Sequence, residues 1–328
     1  MLDFMPTIYL AFIAIIIGII GLVWSADRFV AGSASIAKGF GVAPMIIGLT
    51  IVSFGTSAPE VMVSIIAAFS GAGDLAVGNA LGSNIANIAL VLGATTLIAY
   101  IPVQKHLLKH ELPILMVITL ISGYILMDAS ISVIEGWVLM LLLVPSIWYL
   151  VFVKQREFST EEKAEEEELP ELGKKAAIVW FLIGLGLLII SSKILVWGAE
   201  TTALHFHVSP LIIGLTIIAI GTSLPELAAS VISAVKGHHD IALGNIIGSN
   251  MFNLLAVMSI PGIVGSQQMD SLVFSRDYMT MLAVTLFLAL TLVVVIFGTK
   301  SLKLGKLSGV ILLLSYVAYM AVLASEQL

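Results

Sequence analysis

Long apolar runs separated by short polar segments dominate the chain. Ten are long enough to cross a bilayer as helix, at residues 7–25, 42–69, 74–100, 111–128, 131–153, 175–197, 208–235, 240–264, 277–298 and 306–325, since about 20 apolar residues span roughly 30 Å of hydrocarbon. Several exceed that length, which predicts tilted or broken spans. Two runs are interrupted alike, by VSFGTSAPEV at Val52–Val61 and by IAIGTSLPEL at Ile218–Leu227. A proline beside a glutamate within a span calls for a physical reason.

Composition agrees with the pattern. Of 328 residues, 59% are hydrophobic and 11% charged, against about 25% charged in a soluble domain. The predicted class is an all-α polytopic membrane protein. No basic residue precedes Arg28, so the opening run lacks the cationic start of a cleaved signal peptide and reads as a retained span. There is no cysteine, which excludes disulfides and thiolate metal sites. The net charge of -6 is set largely by one acidic loop.

Orientation follows from the basic residues. With the N-terminus outside, Arg28, Lys38, Lys105, Lys109, Lys154, Arg156, Lys163, Lys174, Lys175, Lys236, Lys300, Lys303 and Lys306 fall on the cytoplasmic side, leaving Lys193 and Arg276 outside. Both termini are then external. The long polar segment, Lys154–Lys175, reads as a solvated cytoplasmic connector. It divides the chain into a first half, 1–153, a linker, 154–174, and a second half, 175–328.

The halves repeat each other. Residues 44–90 align with 210–256 at a constant offset of 166 without gaps, with 24 of 47 positions identical. The repeats extend over about 42–100 and 208–264. The first helices also match, through LVWSAD ending at Asp27 and LVWGAE ending at Glu200. Five spans per half is an odd number, so the second copy enters the membrane from the opposite side. Such inverted repeats are a transporter architecture, with substrate bound near the midplane where Gly/Pro-interrupted segments meet.

The interrupted segments carry the candidate chemistry. Pro59 and Pro225 remove an amide hydrogen and disturb the preceding turn. An intramembrane acid such as Glu60 or Glu226 is costly and points to function. On a regular helix Ser53, Thr56, Ser57, Glu60 and Ser64 share one face. The second copy repeats this with Ala219, Thr222, Ser223, Glu226 and Ser230. The following helices stack Asn79, Ser83 and Asn87, and Asn245, Ser249 and Asn253, at intervals of four. This all-oxygen inventory suits a hard cation such as Ca²⁺. Two carboxylates balance one Ca²⁺, two Na⁺ or two protons, so the site should cross the membrane only when loaded. Small residues also serve close helix packing, the preferred reading for Ser64 and Ser230. His205, His207, His238 and His239 lie at loop ends and read as surface residues.

At GTSAPE with GNALGSNIANI, and at GTSLPE with GNIIGSNMFNL, the chain resembles the sodium/calcium exchanger family of the cation/calcium antiporter superfamily. The resemblance implies four coordinating corners at Glu60, Asn87, Glu226 and Asn253. It also implies flanking Na⁺ sites lined by Thr56, Ser57, Ser83, Thr222, Ser223 and Ser249 with the carbonyls of Ser53 and Ala219. Alternating access, with the long first and sixth spans sliding across the other eight, is implied as well. Members of the family often carry Asp at one asparagine corner, whereas this chain has Asn at both, leaving the coupling ion open between Na⁺, H⁺ and K⁺.

The expected activity is Ca²⁺/Na⁺ antiport, most simply Ca²⁺ extrusion, with Ca²⁺/H⁺ exchange as the alternative. A cation channel is disfavoured because the pseudo-twofold lies within one chain rather than around an oligomer pore. No HExxH, GxSxG or GxxxxGK[ST] motif occurs, so neither an intramembrane enzyme nor an ATPase is expected. No cofactor or nucleic-acid partner is expected. The chain is read as a monomer in a prokaryotic cytoplasmic membrane.

Overall fold

A computed structural model describes residues 5–158, 172–207, 217, 219–298 and 302–325. It is almost entirely helical. The first half contains α1 (Met5–Phe40), α2 (Pro44–Thr56), α3 (Ala58–Phe69), α4 (Gly73–Ile98), α5 (Leu107–Leu126) and α6 (Val133–Phe158). The second contains α7 (Lys174–His205), α8 (Ala219–Thr222), α9 (Leu224–Val235), α10 (His239–Val264), α11 (Val273–Gly298) and α12 (Lys306–Ser325).

Among the described residues, eight helices are long and apolar enough to cross a membrane by themselves, and the bent pair α2–α3 makes a ninth span. The remaining expected span, 208–235, is represented by α9, which has 12 residues, and the short α8. Its residues 208–216, including Pro210 and Gly214, lie outside the described residues.

The first span is far longer than its apolar run. At 36 residues α1 reaches about 54 Å. Its polar residues do not stop it, because Ser25 and Ser33 return their hydroxyls to the helix's own carbonyls at Gly21 (2.6 Å) and Phe29 (2.8 Å). Arg28, expected in a loop, lies within the helix, its guanidinium 5.6 Å from the Trp24 ring centroid and 5.0 Å from that of Trp180 on α7. The helix ends at Gly41, which adopts φ +62°, while the Val42 amide reaches back to Ala37 O at 2.9 Å. This is the left-handed cap that glycine favours. At the other end of the half, α6 continues through Phe158, so Lys154 is a buried helical residue rather than the start of a free loop.

Helices α1 and α7 pack along much of their length, with Leu22, Phe29, Phe181 and Leu188 buried between them and their neighbours. Helices α4 and α10 lie at the centre, and α10 is buried along most of its length. Close approach of α2 to α10 depends on two glycines. A Cβ on Gly48 would lie 2.7 Å from Ile241 O, and one on Gly244 would lie 2.7 Å from Met45 O.

Short antiparallel strand pairs join the halves at their loops. β1 (Ile101–Pro102) pairs with β4 (Lys303–Leu304), placing Ile101 opposite Leu304. β2 (Ser130–Ile131) pairs with β3 (Gln267–Gln268), placing Ile131 opposite Gln267.

Candidate functional site

The GTSAPE and GTSLPE segments break their helices at the same place. Ser57 has φ -80° and ψ 7°, and Ser223 has φ -87° and ψ 4°. Proline occupies the second position of the helix that follows, where its missing amide costs no helical bond. The chain bends by 46° between α2 and α3. The continuous face expected for Ser53, Thr56, Ser57, Glu60 and Ser64 is therefore divided. Ser53 and Thr56 close one helix, and Glu60 sits in the first turn of the next. Glu226 occupies the same first-turn position in α9, where the helix N-terminus favours a carboxylate.

The two glutamates are brought together although 166 positions apart. Each is 1% exposed, and they lie within electrostatic reach of one another. Ser57 Oγ donates to Glu226 Oε1 at 3.1 Å. Thr56 Oγ1 lies 3.1 Å from Asn245 Oδ1 and 3.3 Å from Ser53 O. The Ser53 carbonyl, expected to face an ion, already accepts the Ser57 amide at 3.0 Å. Ala219 opens α8, and the neighbouring Ile220 carbonyl accepts the Ser223 amide at 3.0 Å. Thr222 is half-buried, whereas Thr56, Ser57, Ser83, Ser223 and Ser249 are buried.

Asn87 and Asn253 are each 1% exposed. Asn87 lies within the π-helical turn Ala86–Leu92 of α4, and Asn253 begins the π-helical turn Asn253–Val257 of α10. Such single widened turns are frequent at functional sites. Several buried atoms here have no protein partner: Glu60 Oε2, Glu226 Oε2, Asn87 Oδ1, Asn253 Oδ1, Ser223 Oγ and Ser249 Oγ. An unpaired buried polar atom costs about 1–3 kcal/mol, so this concentration of oxygens calls for a cationic or polar occupant. Among the described residues, no cluster of three or more His, Asp or Glu side chains is arranged to hold a metal. The site instead combines two carboxylates with neutral oxygens.

Sequence reasoning noted Asn79 and Asn245 as oxygen donors but missed their bonds. Asn79 Nδ2 donates to Glu60 O (3.0 Å) and Ser64 Oγ (3.2 Å). Asn245 Nδ2 does the same to Glu226 O (3.4 Å) and Ser230 Oγ (2.9 Å). It also missed a second pair of buried acids in the same 166-residue register. Glu111 contacts Lys154 Nζ at 3.0 Å and His106 Nδ1 at 3.2 Å, while Asp277 pairs with Arg276 and accepts from Tyr319 Oη at 2.9 Å. The offset that located Glu226 from Glu60 would have located this pair too. His238, expected at the surface, is 4% exposed.

A family model described as sodium/calcium exchanger protein matches residues 10–152 and 176–324. The chain belongs to the sodium/calcium exchanger family. It is 47% identical to the putative antiporter CaxA of Alkalimonas amylolytica, across 96% of this chain and 99% of CaxA. It is 39% identical to the inner membrane protein YrbG of Escherichia coli, across 96% of this chain and 97% of YrbG. Among solved structures, the sodium-calcium exchanger NCX_Mj superposes with a TM-score of 0.80 at 30% identity, covering 96% of this chain and 99% of that one. The exchanger family, the apolar helices and these matches make the protein an integral, multi-pass ion antiporter rather than an enzyme.

Proposed function

We propose that this exchanger moves Ca²⁺ out of the cell against Na⁺ by alternating access, with Glu60 and Glu226 as the paired carboxylate ligands. The observation that carries this reading is the bond from Ser57, three residues ahead of Glu60, to Glu226 Oε1, together with the buried oxygens that lack protein partners on both glutamates and on Asn87, Asn253, Ser223 and Ser249. A divalent ion neutralises both carboxylates at once, and the hydroxyls of Thr56, Ser57, Ser83, Thr222, Ser223 and Ser249, with the carbonyls of Ser53 and Ala219, supply neutral oxygens for Na⁺. Neutral asparagine at both remaining corners favours one alternative, Ca²⁺/H⁺ exchange, because it removes a charge that a further cation would use.

Ten spans in two inverted halves, 1–153 and 175–328 joined by the acidic linker 154–174, is the topology that fits. Loops joined to one another must lie on the same membrane face. The bonds Ile101–Leu304, Gln155–Gly41 and Gln104–Asp240 group one set of loops. The bonds Ile131–Gln267 and Asp74–Asp270 group another. An even number of crossings must separate the partners in each bond. Counting α2–α3 once, a tenth crossing that ends with α9 would satisfy every one of these bonds, which supports the ten-span reading. The first set carries most of the loop lysines, which supports a cytoplasmic position for it and external termini. YrbG is named an inner membrane protein, in keeping with a prokaryotic cytoplasmic membrane here, with the single chain as the working unit.

The deciding experiment is radiolabelled Ca²⁺ uptake into proteoliposomes under imposed Na⁺, K⁺ or pH gradients. Uptake driven by outward Na⁺ supports the reading. Uptake indifferent to Na⁺ but following pH assigns H⁺ coupling, and passive flux without a counter-ion removes the antiport mechanism.

A further inference from the structure

We propose that Asn245 is a positioning residue that turns the Thr56 hydroxyl oxygen toward the transported ions by accepting its hydrogen bond. The inference rests on the ion site proposed above and concerns a residue outside the ligand set.

A hydroxyl has one proton and two lone pairs, and only a lone pair can face a cation. The proton must therefore go to an acceptor on the far side. Thr56 is fully buried, so bulk solvent does not serve as that acceptor. Asn245 Oδ1 lies 3.1 Å from Thr56 Oγ1, against 3.3 Å for Ser53 O in the same helical turn. The Glu226 carboxylate is a third acceptor within reach. Donation to Glu226 would draw Thr56 into satisfying the carboxylate that the cation needs. An acceptor at Asn245 prevents that.

The Asn245 amide is held in the required sense. Its Nδ2 faces Ser230 Oγ at 2.9 Å and the Glu226 backbone carbonyl at 3.4 Å. Reversing the amide would set Oδ1 against that carbonyl and place an NH₂ donor against Thr56, pulling the hydroxyl's lone pair away from the site. The backbone of one glutamate therefore fixes the amide, and the amide fixes a hydroxyl contributed by the opposite half. Asn79 shows that the backbone clamp is a repeated device, since it reaches Glu60 O at 3.0 Å and Ser64 Oγ at 3.2 Å. Ser64 passes its own proton on to Ala76 O at 3.2 Å.

The test is a double-mutant cycle in proteoliposomes, reading the half-saturating Na⁺ and Ca²⁺ concentrations. Thr56→Val should weaken the apparent affinity of the ion that Thr56 serves by about tenfold in the wild-type background, as one lost ligand bond predicts. In N245L, which has no acceptor at this position, the loss should fall below about twofold, because the hydroxyl is already misdirected. If N245L does not accumulate folded, N245A removes the same acceptor with less bulk. Equal losses from Thr56→Val in all backgrounds would reduce Asn245 to a structural role and overturn the proposal. No loss in the wild-type background would overturn it as well, by removing Thr56 from the ligands. Retention of exchange by Glu60→Gln and Glu226→Gln is a separate result that defeats the ion site itself.

Discussion

Ser57 Oγ donates to Glu226 Oε1 at 3.1 Å, linking the breakpoint of one half to the carboxylate of the other. The hydroxyl occupies one oxygen of that carboxylate and leaves Oε2 without a protein partner. Glu226→Gln keeps nearly the same shape but removes the charge facing a divalent ion. Glu60→Gln does the same on the other side. Each should abolish Ca²⁺ transport while the detergent-solubilised protein keeps the wild-type elution volume and comes within a few degrees of the wild-type melting temperature. Wild-type exchange by either variant would remove the glutamate from the site.

The serines at the breaks are not equivalent. Ser57 is committed to Glu226, whereas Ser223 Oγ is buried without a protein partner. Both are assigned to flanking Na⁺ positions, so Ser57→Ala and Ser223→Ala should weaken the Na⁺ dependence of Ca²⁺ efflux more than Ca²⁺ affinity. Ser57→Ala should have the additional effect of freeing Glu226 Oε1. Flux titrations at fixed pH, with Na⁺ replacing choline, separate the effects. Equal shifts in both ions from Ser223→Ala would place that hydroxyl at the Ca²⁺ position.

Inversion can be read by labelling, since the chain has no cysteine. Ser70 and its repeat partner Lys236 are both exposed at the ends of matching helices. Ser70→Cys should react with an impermeant maleimide from outside, and Lys236→Cys only from the cytoplasm. Gly73 is a poorer choice, because a side chain there would meet Gln267 Cβ at 2.7 Å. Labelling of both positions from one side would refute the inverted topology.

Lys154 and Glu111 form an ion pair with side-chain exposures of 4% and 0%. Removing one partner strands a buried charge at about 3–5 kcal/mol, while replacing both with apolar groups is close to neutral. Lys154→Met leaves Glu111 with His106 as its remaining partner and should therefore lower the melting temperature, and Glu111→Leu/Lys154→Met should recover part of the loss. A double variant no better than the single one would show that the pair's environment, rather than its charge balance, holds α5 to α6.

Apolar run length located most spans, because lipid leaves the backbone little alternative to helix. It misjudged α1 and α6, where polar residues continue the helix. Ser25 satisfies its hydroxyl on the Gly21 carbonyl, and Lys154 finds Glu111. Periodicity treated Ser53 through Ser64 as one face, since a regular helix cannot register the bend at Ser57. The internal repeat was the most informative signal and identified both glutamates. It could not show that Thr56 would meet Asn245, or Ser57 meet Glu226, because those bonds depend on how the halves cross.

That crossing bears on how such a sequence can change over generations. Thr56 depends on Asn245 and Ser57 on Glu226, so a substitution in either half alters the surroundings of a group encoded in the other. The halves cannot drift independently, although the acidic linker makes them look like separable units. Coordinated change should concentrate on pairs displaced from the 166-residue register, such as 56 with 245 and 57 with 226. Positions equivalent by repetition, such as 56 and 222, are not joined by these bonds and need not change together.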